Sequence, residues 1–491
     1  MRDAPALLAA LRRADLLIEA PEPEALPGFS NLAVDSRSAA PGTLFIAVRG
    51  SQTDGHRFVP DAIARGAAGV VVEEAAGDGA ARIVVRDARR AAIVLARTWY
   101  DDPAAALQLV GVTGTNGKTT TTGLARHLLN RNGDTAGMGT LGCTDGAGDA
   151  VPSAAGSLTT PGPLDLQATF ATLRDRKVRR VVMEASSHSL DQGRLDGLVF
   201  AAAIFTNLSR DHLDYHGSME AYHAAKLRLL DLLAPDGVLA VNADDPAWEG
   251  IGRTRRTVTF GMRRPADLRA VDAQCGAAGS RFRIEGRFGI REATLPLPGD
   301  FNIANALAAA AVALGLGVAL DEVVARLDDA PQVPGRMERI AGGAFTVLRD
   351  YAHTPDALSR ALETLRPLTT GRLIVLFGCG GDRDRGKRPL MGRAAAAGAD
   401  FVFLTSDNPR TEDPERILDE IQAGLPAGAP HLRMSDRRTA IAAALAEAKA
   451  GDTVLLAGKG HESYQVIGTE SRPFDERAIV RELLGGRGAP A

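Results

Sequence analysis

Short apolar runs that end in polar residues recur along this chain and alternate with longer amphipathic stretches. The runs GVLAV (237–241) and LIVLF (373–377) are typical examples. Such runs predict strands buried on both faces, and the stretches between them predict helices. Strands of this kind pair in parallel and carry their chemistry at their carboxyl ends. The pattern therefore predicts an α/β protein.

Breaks in this alternation divide the chain of 491 residues into three predicted domains. Residues 1–104 predict a small N-terminal α/β domain, which ends where Pro103 interrupts the pattern. Residues 105–333 predict a central wound parallel sheet of the P-loop type, and residues 334–491 predict a C-terminal α/β domain with a Rossmann-like sheet. A chain of this length should form about three domains.

The glycine-rich stretch VTGTNGKTTTT (112–122) follows an apolar run and precedes a predicted helix. Gly114 and Gly117 would let backbone N–H groups approach an anion closely. Lys118 would place a positive charge on phosphate oxygens, and Thr119 would offer its hydroxyl to Mg²⁺. The spacing departs from the usual P-loop by one residue. The strand before the stretch and the helix after it nevertheless indicate a phosphate site rather than a plain glycine turn.

Two further polar residues follow neighbouring predicted strands of the central domain. Glu184 ends the run RRVVME, and His212 lies just beyond the run FAAAIF. Both should emerge at the same sheet edge as Thr119, where a carboxylate, an imidazole and a hydroxyl could share a divalent metal with a nucleotide. A loop histidine more often makes only a structural hydrogen bond, but the grouping of three suitable strand ends favours the metal.

Lys226 falls on the apolar face of a predicted helix, four residues after Tyr222 and three before Leu229. A lysine in such a position usually extends to solvent, so its apolar stem alone packs. If it is instead held in a cleft, desolvation lowers its pKa and gives a neutral amine that can take up CO₂ as a carbamate. The product would be a carboxylate.

Polar residues also follow the predicted strands of the third domain. Near the end of the central domain, Asn302 and Asn305 open a predicted helix, where they could contact a nucleotide base or ribose or simply cap the helix. Asp350 follows a strand and could face the same nucleotide. Charged residues at the other strand ends suit a zwitterionic ligand, although each alone could be a solvated loop charge: His353, Arg383, Arg410, Lys459, His461 and Glu462.

Composition narrows the class of partner. The net charge is -3, with 57 basic and 60 acidic residues scattered along the chain, so we expect no nucleic acid and no membrane insertion. The three cysteines have no paired spacing, and the N-terminal stretch is not laid out as a signal peptide. These features predict a cytoplasmic protein that acts on small molecules. We expect the protein to be a monomer.

The chain resembles the Mur ligase family in motifs that follow the family's order over nearly its whole length: GVTGTNGKTTT, TTPG, EASSHSL, NLSRDHLDYHG followed by AAK, GDFNIANALAA, PGRME, DYAHTPDAL, FGCGGDRDRGKRPLM, DNPR and GKGHE. The resemblance implies an enzyme of peptidoglycan synthesis that forms an amide bond with ATP as co-substrate and Mg²⁺ as cofactor. ATP would phosphorylate the D-glutamate γ-carboxylate of a UDP-N-acetylmuramoyl dipeptide, and the amine of meso-diaminopimelate would attack the acyl phosphate.

The resemblance also assigns residues to sites. Lys226 would be a carbamylated lysine that shares Mg²⁺ with His212, Glu184 and Thr119, and Lys118 would complete the catalytic set. The residues implied for ATP are Gly114, Thr115, Asn116, Gly117, Lys118, Thr119, Thr120, Asn302, Asn305, Arg336 and Asp350. Those implied for the UDP-muramoyl dipeptide are Val34, Ser36, Ser51, Gln52, Thr53, Thr159, Thr160, Ser186, Gln192 and Arg194. Those implied for diaminopimelate are Arg383, Asp407, Asn408, Pro409, Arg410, Gly458 and Glu462.

Two other classes share part of the pattern. A ligase of the same family that adds D-alanyl-D-alanine, or a folylpolyglutamate synthetase, would share the ATP motifs but should lack DNPR and the N-terminal DSR. A non-catalytic nucleotide-binding regulator need not keep Lys226, Glu184 and His212 together. Arg410 should distinguish diaminopimelate from L-lysine as the added amino acid. Its planar guanidinium can bind the far carboxylate that diaminopimelate has and L-lysine lacks.

Overall fold

The computed structural model describes residues 3–50, 53–74, 80–152, 158–252, 254–276 and 278–485. It divides into two compact units. One comprises Met1–Thr259 with Ala311–Leu316, and the other comprises Phe260–Ala310 with Gly317–Ala491. Helices alternate with mainly parallel strands in both units, so the predicted α/β class is confirmed.

The α-helices lie before, between and after the strands along the chain. They are α1 (Ala4–Arg13), α2 (Val59–Ala64), α3 (Ala88–Trp99), α4 (Lys118–Leu129), α5 (Pro163–Asp175), α6 (Ser187–Asp191), α7 (Leu213–His216), α8 (Met219–Asp231), α9 (Asp300–Gly315), α10 (Leu320–Asp328), α11 (Pro355–Leu365), α12 (Lys387–Gly398), α13 (Pro414–Gln422), α14 (Arg437–Glu447) and α15 (Glu476–Gly485).

The strands are short and mostly buried. They are β1 (Leu17–Glu19), β2 (Asn31–Ala33), β3 (Thr43–Ile46), β4 (Gly69–Val72), β5 (Ala81–Val85), β6 (Gln108–Thr113), β7 (Thr135–Gly139), β8 (Gly142–Thr144), β9 (Arg180–Glu184), β10 (Phe200–Phe205), β11 (Leu233–Asn242), β12 (Arg256–Gly261), β13 (Leu268–Gly276), β14 (Gly279–Gly286), β15 (Gly289–Leu295), β16 (Glu338–Ala341), β17 (Thr346–Asp350), β18 (Leu373–Phe377), β19 (Phe401–Leu404), β20 (His431–Arg433), β21 (Thr453–Ala457), β22 (Tyr464–Ile467) and β23 (Glu470–Pro473).

Two sheets organise the first unit. The N-terminal sheet has the order β1-β5-β4-β3-β2, in which only β1 runs antiparallel to its neighbour. In the second sheet the strands of this unit follow the order β11-β10-β6-β9-β7-β8, and β6, β7, β9, β10 and β11 are parallel. These parallel strands are almost wholly buried, as continuous apolar runs require. Their carboxyl ends therefore meet at one edge.

The second unit carries the other parallel sheet, in the order β16-β17-β21-β18-β19-β20, with β16 antiparallel at one end. Its core packs on both faces, against α11 and α12 on one side and α14 and α15 on the other. The predicted strands of this region are confirmed. Each of these strands ends in one of the polar loops singled out from the sequence. Because the carboxyl ends of parallel strands share an edge, these loops lie along that edge.

Two parts of this fold were not predicted. Strands β13, β14 and β15 form an antiparallel meander, and β22 and β23 form an exposed hairpin. The helix that carries Lys226 ends at Asp231, and Leu233 begins β11. Within the described ranges, no helix is long and apolar enough to cross a membrane. All three cysteines are free thiols.

Candidate active site

The glycine-rich loop joins β6 to α4 in a conformation that depends on glycine. Gly114 has φ +146°, and a Cβ there would lie 1.9 Å from Oγ1 of Thr206. Gly117 precedes the first turn of α4 with φ +82°. Backbone of this kind directs successive N–H groups toward one point at a helix N-terminus, which favours an anion. Thr119 and Thr120 are buried in the first turn.

A second loop, residues 206–209, holds the glycine-rich loop in place. The N–H of Thr115 donates to the Asn207 carbonyl at 2.7 Å, and the N–H of Asn116 donates to the Asn207 side chain at 2.9 Å. In return the Thr206 hydroxyl donates to the Asn116 carbonyl at 2.8 Å. The glycine-rich loop is therefore held by this second loop. Asn207 lies in the motif NLSRDHLDYHG, but sequence reasoning gave no role to Asn207 or to Thr206.

Strand register places the predicted site residues of the first unit at one edge. Val112 of β6 lies opposite Glu184 of β9, and Thr113 lies opposite Phe205 of β10. The polar residues that follow these strands therefore leave the sheet at the same level. The structure in this way brings Glu184 and the segment that leads to His212 to the edge where the glycine-rich loop begins.

Lys226 lies inside this site rather than in solvent. Its side chain is 1% exposed, and Nζ donates to the Gly114 carbonyl at 2.7 Å and lies 4.3 Å from the centre of the Tyr222 ring. Burial, together with the charge of Lys118, holds the pKa of Lys226 well below its usual value. Lys118 donates to the same carbonyl at 3.0 Å and to that of Thr115 at 2.8 Å. Two amines therefore converge on the glycine-rich loop, and the extended, solvated alternative for Lys226 does not apply.

Glu184 is also buried, and its carboxylate already has two donors. The N–H of Thr140 donates to one oxygen at 2.8 Å, and the Thr140 hydroxyl donates to the other at 3.2 Å. A Cβ at Gly139 would lie 2.2 Å from the carboxylate, so only glycine fits beside it. Carboxylate oxygens have about four acceptor sites, so this group can still bind a cation.

His212 begins a helical turn with φ +52° and is partly exposed. Its ring lies edge-on to that of His188 at 4.8 Å and 6.2 Å from that of Tyr222. His216 lies 5.4 Å from His188 on another side. Burial and the two neighbouring histidines lower the pKa of His188 to about 4, so this imidazole is neutral at pH 7. The structure thus places His212 in an aromatic cluster with His188, His216, Tyr215 and Tyr222, which the sequence had not assigned.

The residues predicted to bind the muramoyl dipeptide form one hydrogen-bonded network. The Thr160 hydroxyl donates to the main-chain carbonyl of Glu184 at 2.9 Å, and the N–H of Ser186 donates to that hydroxyl at 3.2 Å. Arg194 donates to the Thr160 carbonyl at 3.0 Å and to the Gln192 side chain at 2.6 Å. Thr159 lies within hydrogen-bond distance of Thr140 through its hydroxyl. The network therefore reaches the residues that hold Glu184.

The predicted UDP residues are less clearly grouped. Val34 is exposed, whereas Ser36 is buried at the start of a short helical turn after β2. Thr53 is exposed, and Ser51 and Gln52 lie outside the described residues. Arg89 joins this part of the chain to the dipeptide network, because it donates to the carbonyls of Arg49 and Gln192.

In the second unit, the residues predicted for the nucleotide occupy two places. Asn302 and Asn305 lie buried at the start of α9, where Asn302 donates to the Pro298 carbonyl at 2.8 Å. Asp350 ends β17 and accepts the N–H groups of Met337 and Ala352. Burial raises the pKa of Asp350, and the nearby Arg336 opposes that effect. Arg336 and Asp350 are therefore neighbours, while the asparagines stand apart on α9.

The predicted amino-acid residues cluster where β19 and β21 end. The Asn408 side chain donates to Glu462 at 2.9 Å, and Lys459 lies between Asp407 and Glu462. Gly458 has φ +105°, and a Cβ there would lie 3.4 Å from the Asp407 carboxylate. Hairpin β22–β23 supports the loop, since Gln465 donates to the Asp407 carbonyl at 2.7 Å. Neither the hairpin nor Gln465 carried a sequence signal that would have assigned it to this site.

Arg410 has φ +52° and donates to the Gly381 carbonyl at 2.7 Å. Pro409 before it is buried, and the main chain of Arg410 pairs with the hairpin residues Val466 and Gly468. A Cβ at Gly380 would lie 2.9 Å from the Arg410 guanidinium and 3.6 Å from the Arg383 side chain, so both arginines flank this glycine. The structure therefore brings together the DNPR, GKGHE and GCGGD loops.

Together, the wound sheet and the glycine-rich loop at its edge define a nucleotide-binding α/β protein of the P-loop type. Family models agree: "Mur ligase family, catalytic domain" matches residues 29–105, "Mur ligase middle domain" matches 112–313, and "Mur ligase, glutamate ligase domain" matches 335–460. The chain belongs to the Mur ligase family.

Individual relatives are similar over most of the chain. A UDP-N-acetylmuramoyl-L-alanyl-D-glutamate–2,6-diaminopimelate ligase of Gloeobacter violaceus is 47% identical over 464 residues, which cover 93% of this chain and 94% of the relative. A solved structure of a ligase with the same name is 37% identical with a TM-score of 0.68, and covers 96% of this chain and 98% of its own. The MurF ligase of Thermotoga maritima, solved in complex with ADP, is 20% identical, covers 93% of this chain and 96% of its own, and has a TM-score of 0.61, which shows a shared fold alone.

Proposed function

We propose that this chain is an ATP-dependent ligase that adds meso-2,6-diaminopimelate to the D-glutamate of UDP-N-acetylmuramoyl-L-alanyl-D-glutamate in peptidoglycan synthesis. The observation that carries the proposal is the convergence of Lys118 and the buried Lys226 on the Gly114 carbonyl of the glycine-rich loop. The choice of substrates is supported by the relatives, whose printed names give this dipeptide and diaminopimelate.

The proposed reaction has two steps, as the resemblance to the family implies. An oxygen of the D-glutamate γ-carboxylate attacks the γ-phosphorus of ATP, ADP leaves, and an acyl phosphate forms. The amine of diaminopimelate then attacks the acyl carbon, and phosphate leaves with one oxygen of the original carboxylate. Lys118 exchanges its carbonyl partners for phosphate oxygens and offsets the charge that develops on the transferred group. The network of Thr160, Ser186, Gln192 and Arg194 holds the dipeptide.

The donor set suits Mg²⁺, which prefers hard oxygen ligands. The buried carboxylate of Glu184 and the hydroxyl of Thr119 lie at the edge where the loop begins, and a carbamate on Lys226 would add a second carboxylate. Within the described part of the chain, no three or more His, Cys, Asp and Glu residues are grouped so that they could hold a metal ion. The proposed ligands are Thr119, Glu184, His212 and the carbamate of Lys226. The bound ion would neutralise phosphate charge.

We also propose which part of the chain binds each substrate. Residues 1–104 bind the UDP moiety. Residues 105–333, which include Asn302 and Asn305, bind ATP, and residues 334–491 bind the amino acid and, through Arg336 and Asp350, the nucleotide. The substrates place the reaction in the cytoplasm, where ATP and UDP-linked sugars occur, and every one of them is a small molecule that a monomer could bind.

The test is an ADP-release assay in which each substrate is omitted in turn and the amino acid is varied. We expect ADP only when ATP, the UDP-muramoyl dipeptide and meso-diaminopimelate are all present, with L-lysine and D-alanyl-D-alanine as poor replacements. Faster turnover with D-alanyl-D-alanine, or with folate and L-glutamate, would move the chain to another branch of the family. ADP release without any amide product would contradict ligation.

A further inference from the structure

Helix α3 packs both in the core of the N-terminal sheet and against α5, the helix that precedes β9 of the second sheet. Ala92 and Leu95 of α3 belong to the N-terminal core, and Leu164 of α5 packs against the same core. The start of α3 therefore has a fixed place between the part of the chain that we assign to the UDP moiety, residues 1–104, and the network that we assign to the dipeptide.

Arg89, the second residue of α3, connects two distant segments of the chain through its guanidinium. Nη2 donates to the Arg49 carbonyl at 2.6 Å, and Nη1 donates to the Gln192 carbonyl at 3.1 Å. The planar guanidinium holds its two terminal nitrogens at a fixed separation. Arg89 therefore sets the distance between the two carbonyls.

The first of these segments follows β3 and includes Thr53, one of the residues assigned to UDP. Within it, the N–H of Gly50 donates to the Thr53 carbonyl at 2.9 Å. The Arg49 guanidinium lies 3.2 Å from the carboxylate of Glu73, which in turn accepts the N–H of Ala88 at 2.9 Å. The first two residues of α3 therefore hold this segment, one through Glu73 and the other directly.

The second segment contains Gln192, whose polar groups are all engaged. Its N–H donates to the His188 carbonyl at 2.9 Å. Its side chain accepts a hydrogen bond from Arg194 at 2.6 Å and donates to the Tyr215 hydroxyl at 3.1 Å. The bond from Arg89 engages the main-chain carbonyl. Arg89 thus completes the support of a residue that we assign to the dipeptide.

We propose that Arg89 is a positioning residue that fixes the spacing between the segment around Arg49 and the dipeptide network of Gln192 and Arg194. The UDP-muramoyl dipeptide is one molecule that has to engage both places at once. Such binding strengthens affinity only when the separation of the two places matches the ligand. A spacing that is fixed in advance also removes the cost of ordering it on binding. The inference rests on the proposed function and explains how the two ends of the substrate are bound together.

The test uses calorimetry to compare two ligands, UDP-N-acetylmuramoyl-L-alanyl-D-glutamate and UDP-N-acetylmuramic acid, which lacks the dipeptide. Arg89→Met removes both donors. Arg90→Met, at the exposed arginine beside it on α3, is the matched control. Loss of two charge-assisted hydrogen bonds should weaken binding of the full substrate at least about tenfold. Binding of UDP-N-acetylmuramic acid, which does not reach the dipeptide network, should change by less than about threefold.

The decisive quantity is the ratio of the dissociation constant of UDP-N-acetylmuramic acid to that of the full substrate. We expect this ratio to keep its wild-type value in Arg90→Met and to fall at least about threefold in Arg89→Met. Equal weakening of both ligands would mean that Arg89 only supports the fold, and would overturn the inference, as would unchanged binding of both. Failure of the wild-type enzyme to bind the full substrate would instead overturn the proposed function.

Arg89→Lys covers the case in which Arg89→Met does not fold, and it separates the bridge from the charge. Lysine keeps the positive charge but offers a single nitrogen in place of the planar fork. The inference predicts the same loss of the ratio in this variant. A wild-type ratio in folded Arg89→Lys would show that the charge, or a bond to one carbonyl, is enough, and would refute the inference.

Discussion

Arg437 connects the stability of the second unit to the loops that we assign to the amino acid. It begins α14, and its guanidinium is buried together with the carboxylate of Glu476 at the start of α15, both 0% exposed. Nε donates to Glu476 at 2.8 Å, and the other nitrogens donate to the carbonyls of Ser406 at 3.2 Å and Ala457 at 3.0 Å. These carbonyls directly precede the DNPR and GKGHE motifs, so one side chain supports both loops.

The change Arg437→Met removes these donors and leaves Glu476 buried without a cation. Breaking a buried pair from one side costs about 3–5 kcal/mol of unfolding free energy. The double variant Arg437→Met with Glu476→Gln should lose less than the sum of the two single variants, because neither charge is then left alone. Arg438→Met is the matched control: Arg438 pairs with Glu482 across the same two helices, but the side chains are 45% and 66% exposed. An exposed pair contributes about 0–1 kcal/mol.

Urea unfolding measures this difference with two signals. Both tryptophans, Trp99 and Trp248, lie in the first unit, so their fluorescence follows that unit, while circular dichroism follows the whole chain. We expect Arg437→Met to shift the circular-dichroism transition to lower urea ahead of the fluorescence transition, and to raise KM for the amino acid. Unfolding free energies for Arg437→Met and Arg438→Met within about 1 kcal/mol of each other would refute the reasoning.

Four further predictions concern the first unit and substrate choice. Lys226→Ala should abolish ligation without loss of circular-dichroism signal, and acetate should restore part of the activity by replacing the carbamate. Normal turnover by Lys226→Ala would exclude the carbamate. Because the pKa of Lys226 is lowered in the folded protein, the unfolded chain binds one more proton over the pH range between the two pKa values. The wild-type enzyme should therefore gain stability over Lys226→Met as pH rises from about 7 to about 9, by at most about 1.4 kcal/mol per pH unit. A pH-independent difference in urea unfolding would count against this. Gly114→Ala should abolish ADP binding in calorimetry, since its Cβ would meet Thr206 at 1.9 Å. Gly485→Ala, with nothing within 4 Å, should bind ADP normally, and ADP binding by Gly114→Ala would show that the loop tolerates a side chain. Arg410→Ala should lower the rate with meso-diaminopimelate far more than the slow rate with L-lysine, and equal losses would show that Arg410 does not select the substrate.

Sequence reasoning succeeded where periodicity decides the structure. The parallel strands are continuous apolar runs, so their existence and the polar loops after them could be predicted. Helical spacing also put Lys226 on the face of Tyr222 and Leu229, which are buried as well. Spacing alone favoured an amine that extends to solvent, and it left burial in a cleft as the alternative. Strands β13–β15 were missed because each is buried on one face at most and carries charged residues on the other, so no apolar run marks them.

The burial of Arg437 and Lys459 lay beyond sequence reasoning for a different reason. Arginine and lysine are mostly exposed, so nothing in the local pattern marks Arg437 or Lys459 as buried. Their partners are distant in sequence: Glu476 lies 39 residues from Arg437, and Asp407 lies 52 residues from Lys459. The tertiary fold brings the ends of β19 and β21 close to α14 and α15. Only this arrangement shows which charges are paired.

The most direct test of ligation through an acyl phosphate uses a UDP-muramoyl dipeptide with ¹⁸O in the γ-carboxylate of its D-glutamate. The reaction with ATP and meso-diaminopimelate is analysed by mass spectrometry of both the nucleotide product and the released phosphate. With ¹⁸O at both γ-carboxylate oxygens, we predict a product with the mass of labelled dipeptide plus diaminopimelate less one H₂¹⁸O, and one ¹⁸O atom in each phosphate released. Phosphate without ¹⁸O, or ADP formed without that product, would contradict the account.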